Sequence, residues 1–296
     1  MLDPGDAQGV DRRRVRRSFE ASAGRYDEVA VLQREVADRL LERLDPIRVT
    51  PRRVLDLGAG TGYATRALIR RYRKSEVHAV DIAPAMLQRA RRRAPWLRRP
   101  RCVCADLHAL PYPDDSFELV FSSLALQWAE DLPAALRELQ RVTAPEGAVM
   151  FASFGPDTLH ELRGAWAEVD DHPRVHRFPD KHDVGDRMLE AGFVDPVLDG
   201  EPFTLTYAHP REVMRDLKTL GASNAAPGRA RGLLSPHRLA RVEAAYSLAW
   251  RQPDGRVPAT YEVVYGHAWG MTGTPQRADD TGEVRLNVHG IRRRRR

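Results

Sequence analysis

Only two cysteines occur in the 296 residues, Cys102 and Cys104. Alternate strand residues point to opposite faces, so this pair cannot easily bond to itself. A disulfide framework is excluded, and two lone thiols make a poor metal site. Both are expected as small core residues in a reducing compartment. No apolar run reaches the ~18 residues that a membrane span needs. The polar, arginine-bearing start precedes no apolar segment of the kind found in secretory leaders. A soluble cytoplasmic protein with no membrane partner is therefore expected. Lysine is scarce as well, and arginine supplies most of the 47 basic residues, which outnumber 41 acidic ones for a net charge of +6. The arginines fall in three groups: Arg12, Arg13, Arg14, Arg16 and Arg17; then Arg89, Arg91, Arg92, Arg93, Arg98, Arg99 and Arg101; then Arg292 to Arg296. Solvated faces are one reading of such runs, and an acidic protein partner is the other. Nucleic acid is not expected, because stacking aromatics are not interleaved with the basic runs.

What is present centres on residues 53–62, Arg-Val-Leu-Asp-Leu-Gly-Ala-Gly-Thr-Gly. Val54, Leu55 and Leu57 read as a short buried strand, and a helix follows from Ala64. A strand passing through glycines into a helix builds a nucleotide-binding turn, because glycine tolerates positive φ and leaves the backbone open to a ligand. The spacing is G-x-G-x-G. It differs from the dinucleotide fingerprint G-x-G-x-x-G, and no lysine follows as in a phosphate-cradling loop. One helix later, Val77, Ala79 and Val80 form a second apolar run that ends in Asp81. An acid at that strand end is placed to accept from both hydroxyls of a ribose.

Alternating signals continue: strand 53–57, helix 62–73, strand 76–81, helix 84–94, strand 101–105, a strand at 117–122, helix 131–143 and a strand at 148–153. Such alternation predicts a parallel sheet with helices on both faces. Ahead of it, Val29, Leu32, Val36, Leu40 and Leu44 make an amphipathic stripe in a helical region over 15–44. Beyond it, a helix over 183–191, strands near 194–199 and 203–207, helices over 210–220 and 235–250, and a strand from Pro258 to Trp269 are expected. Asp157 is a plausible N-cap for the helix after the fifth strand. Residues 1–11 and 271–296 read as disordered, the latter as a basic tail.

The compressed glycine turn resembles motif I of class I S-adenosylmethionine methyltransferases. That resemblance implies an α/β fold: a Rossmann-like, doubly wound seven-stranded sheet with an antiparallel last strand. The helices at about 208–252 would form an inserted lid on a domain spanning 12–270. It also implies S-adenosylmethionine as cofactor, without a metal, held by Asp56, Gly58, Ala59, Gly60, Gly62, Asp81, Ile82 and Met86. Asp106 and Leu107 would meet the adenine. The pattern from Phe19 to Asp27 is similar to the start of small-molecule members of that superfamily, which makes Tyr26 and Gln33 candidate contacts. Ser122 and Gln127, at the strand end that faces a transferring methyl group, complete the set.

Three narrower stretches resemble the malonyl-acyl-carrier-protein O-methyltransferase family of biotin synthesis: Ser122 to Trp128, Phe154 to Arg163, and Pro258 to Tyr265. The family implies methyl transfer to the free carboxylate of a malonyl thioester on an acidic acyl carrier protein. A monomer is expected. A related branch, the mitochondrial complex I assembly factors, shares similar second-half motifs. A binding or hydroxylase module acting on a protein, and a methyltransferase for another small acid, therefore stay open at this point. A malonyl carboxylate is already ionised at pH 7, so no catalytic base is needed. It does need a cation, and an arginine fork suits it. Arg163 is the first candidate, with Lys218 and Arg211 weaker ones. His160 and His267 are expected to be structural.

Overall fold

The computed structural model describes residues 11–169, 172, 174–222 and 235–271. Most of the expected disordered start (1–10), the basic tail from 272, and 223–234 between two expected helices lie outside the described residues. The helical region at the start is three segments rather than one: α1 (Arg12–Ser22), α2 (Tyr26–Val29) and α3 (Val31–Glu42). Asp11 caps α1 by accepting from Arg14 N at 3.1 Å. The break falls at Gly24 and Arg25, and Ala30, with ψ 45°, then turns the chain between α2 and α3.

Next come β1 (Arg53–Leu57), α4 (Tyr63–Arg71), β2 (Glu76–Asp81), α5 (Pro84–Arg93), β3 (Arg101–Cys104), β4 (Phe117–Ser123), α6 (Leu132–Val142) and β5 (Thr143–Phe154). The second half contributes α7 (His160–Ala167), α8 (Lys181–Glu190), β6 (Val194–Tyr207), α9 (Pro210–Thr219), α10 (Pro236–Trp250) and β7 (Val257–Trp269). The seven strands lie in the order β3-β2-β1-β4-β5-β7-β6. β1 to β5 pair in parallel. β7 runs antiparallel to both its neighbours. This is the expected doubly wound sheet, with α9 and α10 inserted between β6 and β7.

Central strands buried on both faces need continuous apolar runs. Val54, Leu55, Leu119, Val120 and Phe121 are fully buried and meet that need. One core layer joins the sheet to α3, α4, α7 and α10 through Leu40, Leu68, Trp166 and Tyr246. The other joins it to α6 and α8 through Leu136, Leu139, Val184 and Met188. Each such side chain contributes about 1.5–3 kcal/mol on burial.

Three expectations are corrected. The two short strands near 194–199 and 203–207 are one strand, β6, because Pro202 and Gly200 sit in a ladder with Glu262 and Val264 instead of breaking it. Cys104 is exposed on the edge strand β3 and is not a core residue. Asp157 does not cap α7; Leu159 precedes that helix with φ 56°.

The two most family-specific stretches turn out to be hydrogen-bond partners. Thr158 Oγ1 donates to Glu262 O at 3.1 Å, and Glu262 N donates back to Thr158 Oγ1 at 3.1 Å. Glu262 Oε2 accepts from Asp157 N at 3.0 Å. The carboxylate of Glu161 accepts from Thr260 N at 3.1 Å and Thr260 Oγ1 at 2.5 Å. A clasp about 100 residues apart in sequence thus fixes the start of α7 onto β7.

Candidate active site

The glycine turn sits at the C-terminal end of β1, where ligands bind in such sheets. Gly58, Gly60 and Gly62 have φ of 73°, 53° and 82°. A Cβ on Gly58 would lie 2.2 Å from Ala125 Cβ, and one on Gly62 would lie 2.7 Å from Ala90 Cα. The first glycine therefore admits the end of β4, and the third lets α4 pack on α5. Asp81 closes β2 and grips the turn: Oδ2 accepts from Gly60 N at 2.9 Å and Oδ1 from Ala83 N at 2.8 Å. Burial pushes its pKa up to about 6, against the opposing pull of those amides. Each oxygen keeps a second lone pair for a ligand.

A cleft opens over this turn. Its floor is the strand ends Leu57, Val80, Ala105 and Ser123. Leu124 adopts φ 53° at the end of β4, a left-handed turn that costs an L-residue about 1 kcal/mol or more. α1 forms the roof through Arg12, Val15 and Phe19, and Phe19 meets Trp128 edge-on with centroids 5.5 Å apart. The segment after α9 closes a further side with Leu220 and Ala222. Asp27 fastens α2 to the turn by accepting from Thr61 Oγ1 at 2.7 Å. It also pairs with Arg93 of α5 at 2.7 Å. The adjacent Tyr26 stays a neutral phenol, because burial and then the nearby Asp81 and Asp27 raise its pKa.

The cleft gathers Tyr26, Gln33, Gly58, Gly60, Asp81 and Ile82 from the expected set. Met86, Asp106, Leu107 and Gln127 join them. Ala59, Gly62 and Ser122 lie off the lining. So does Asp56, 1% exposed. It accepts from Thr65 Oγ1 at 2.5 Å, and burial pushes it up to about 7. Arg163, Arg211 and Lys218 are off the lining as well. Arg211 is committed to Glu243 by two bonds of 2.6 and 3.0 Å. Lys218 is exposed on α9. Arg163 donates to three backbone carbonyls, Pro156 O at 2.6 Å, Thr158 O at 3.3 Å and His176 O at 3.5 Å. It makes no carboxylate pair among the described residues.

Two residues of the cleft, Arg12 and His108, were not among the expected set. Asp106 Oδ2 pairs with Arg12 at 3.1 Å, and Oδ1 faces His108 Nδ1 at 2.6 Å. Burial would raise the Asp106 pKa, but the bonds from His108 and the Arg12 charge hold it below the usual range. The Asp-x-His spacing, an Asx-type turn closed by His108 N on Asp106 Oδ1 at 2.9 Å, was the one available clue to His108. For Arg12 there was none.

The lining is rich in acceptors. Among the described residues Gln33 Oε1 and Gln127 Oε1 have no hydrogen-bond partner, and the Gln127 amide nitrogen is already spent on Leu124 O at 2.8 Å. With Asp81 and Asp106, these groups suit a diol, an amine and a positive charge. They do not suit a chain of phosphates, which would want amides and cations free of acids. The residues therefore fit a cationic, phosphate-free nucleoside, as S-adenosylmethionine is. Among the described residues no group of three or more His, Cys, Asp or Glu is placed to hold a metal, and no helix is long and apolar enough to cross a membrane.

A methyltransferase-domain family model matches residues 55–151. The malonyl-[acyl-carrier protein] O-methyltransferase of Halorhodospira halophila is 90% identical over 295 residues, covering 100% of both chains. Its counterpart from Laribacter hongkongensis is 48% identical over 288 residues, covering 95% of this chain and 96% of its own. Of solved structures, the YcgJ protein of Bacillus subtilis superimposes with a TM-score of 0.57 at 15% identity, over 81% of this chain and 99% of its own. That is a likeness of fold alone. With its glycine turn, its gripping aspartate and full-length relatives at such identity, the chain belongs to the malonyl-[acyl-carrier protein] O-methyltransferase family.

Proposed function

We propose that the protein transfers a methyl group from S-adenosylmethionine to the free carboxylate of a malonyl thioester on acyl carrier protein. The product is the malonyl-carrier methyl ester that enters pimeloyl and biotin synthesis, and the reaction runs in the cytoplasm. The observation that carries this reading is the acceptor-lined, phosphate-averse cleft at the glycine turn, in a chain of this family. S-Adenosylmethionine supplies an already electrophilic methyl group. The protein's part is to hold, orient and exclude water.

Asp81 takes the ribose diol on the lone pairs its amide partners leave free. Gly58 and Gly60 let the backbone come close, and Asp106, kept ionised, receives the adenine amino group. Gln33 and Gln127 accept from the amino-acid end. Val15, Phe19 and Trp128 keep water from the reacting atoms, which must align at about 3–3.5 Å. No residue has to remove a proton, because the malonyl carboxylate arrives ionised.

Arg163 is the cation for that carboxylate. Three features support it. It follows Phe154, which lines the cleft. Neutral carbonyls hold it, so its charge is not cancelled. Burial and then the neighbouring Arg177 lower its pKa, a cost that Asp157 and Glu161 offset only in part and that an arriving anion would relieve further. Arg163→Ala is expected to lower kcat/KM on a malonyl thioester roughly 100-fold, the effect of removing one partner of a buried charge pair. The dissociation constant for S-adenosylmethionine should stay within about twofold, and Arg163→Lys should recover part of the loss. Undiminished turnover by the alanine variant would remove Arg163 from the site.

A further inference from the structure

The roof helix α1 carries five arginines in 11 residues, Arg12 to Arg14, Arg16 and Arg17. They do nothing for the helix itself. Its first turn holds no acid, and cations at a helix N-terminus oppose the macrodipole. Arg12 turns inward and is tied to Asp106 and Glu130 at 3.1 and 2.6 Å. The inward stripe is Arg12, Val15, Phe19 and Ser22. Helical periodicity places Arg13 and Arg17 on the opposite side and Arg16 on the flank. All three are exposed, and no acid among the described residues pairs with them.

The neighbouring α9 continues this face. Its C-terminal end is seated on α1: Ser22 Oγ donates to Leu220 O at 3.4 Å, and a Cβ on Gly221 would lie 3.0 Å from Ser18 O. Its exposed stripe is Arg211, Arg215 and Lys218, at i, i+4 and i+7. α1 and the Leu220–Ala222 segment both line the cleft, so the basic outer faces of α1 and α9 flank it.

We propose that the outer faces of α1 and α9 form the docking surface for the acidic carrier, with Arg13, Arg16, Arg17 and Lys218 as its charged contacts, so that the thioester arm enters between the two helices. This rests on the function proposed above and adds where the partner binds. Charge complementarity selects an acidic protein, and the position on the two elements that wall the cleft selects one that delivers a tethered substrate. A second basic groove provides the contrast. Arg73, Lys74, Arg98, Arg99 and Arg101 line this groove, and the exposed Trp96 is an aromatic that does interleave the second arginine group in sequence. That groove lies at the N-terminal ends of β2 and β3, the end of the strands opposite the glycine turn.

The test compares two double variants with the same change in net charge, R13E/R17E and R98E/R99E, in the full chain. Binding of fluorescently labelled holo-carrier is read by anisotropy, which needs no turnover. The first variant should bind at least 10-fold more weakly than the parent, while the second stays within about twofold. Salt should weaken the parent and have little effect on R13E/R17E. Dissociation constants for S-adenosylmethionine should be equal in all three proteins, and so should turnover of malonyl-pantetheine. A glutamate at position 13, in the first turn of α1, favours the helix dipole, and the unchanged dissociation constant for S-adenosylmethionine reports that the variant is folded. Equal losses in both variants would reduce the effect to bulk charge and overturn the assignment, as would no loss in R13E/R17E or no carrier binding by the parent. Carrier binding that behaves as expected, without methyl transfer by the parent, would leave the docking surface standing and sink the reaction instead.

Discussion

Asp81→Ala is expected to weaken S-adenosylmethionine binding by roughly 100-fold or more. The carboxylate stands at the end of β2 with each oxygen holding one backbone amide, Gly60 N at 2.9 Å and Ala83 N at 2.8 Å. Both oxygens remain able to accept from a ribose hydroxyl. Two hydrogen bonds to a charged acceptor contribute about 1.5–3 kcal/mol each, and every ~1.4 kcal/mol is tenfold in affinity. Asp81→Asn should fall between the parent and the alanine variant, because one side of its amide can only donate. The same geometry predicts a pH dependence. Burial raises the Asp81 pKa to about 6, and the ionised form is the better acceptor. Affinity should therefore be full above that value and decline as pH falls through it. Calorimetry between about pH 5 and pH 8 checks this, and the dependence should vanish in Asp81→Ala. A flat profile in the parent would mean that Asp81 does not meet the ligand.

The second large effect concerns stability. Glu161 is 1% exposed, and its carboxylate satisfies both Thr260 N and Thr260 Oγ1. Truncation to alanine leaves two half-buried donors without this partner, at about 1–3 kcal/mol each. A loss of about 3 kcal/mol is expected, which for a chain of this size lowers the thermal midpoint by roughly 6–10 °C. Glu161→Gln should lose less, since one acceptor is kept, though its amide then faces one of the Thr260 donors. Affinity for S-adenosylmethionine, measured well below the midpoint, should change little, because Glu161 is off the cleft. An unchanged midpoint would mean that the clasp between α7 and β7 contributes nothing.

That clasp also shows how a motif can be read correctly and understood only later. Phe154 to Arg163 and Pro258 to Tyr265 resembled one family in the sequence, yet nothing in the linear order said that Thr158 meets Glu262 or that Glu161 meets Thr260. Part of what makes the two stretches distinctive is that each supplies the other's hydrogen bonds. The cofactor turn was far more legible. Strand, glycines, helix and the closing Asp81 are local patterns, and local patterns report directly on φ angles and strand ends. Arg12 was not legible as a site residue, because its partner Asp106 is 94 residues away and an arginine in a basic run looks like any other. The break between α2 and α3 was missed for a related reason: it falls at Ala30, a good helix former whose turn is imposed by tertiary contacts.

The measurement that bears most directly on the central claim is incubation of the pure protein with methyl-labelled S-adenosylmethionine and malonyl-acyl carrier protein, followed by mass analysis of the carrier. The account predicts a carrier heavier by one methyl group when it bears malonyl, and no label when it bears acetyl, which has no free carboxylate. Label on the acetyl carrier, or none on the malonyl carrier while S-adenosylmethionine binds measurably, would contradict it.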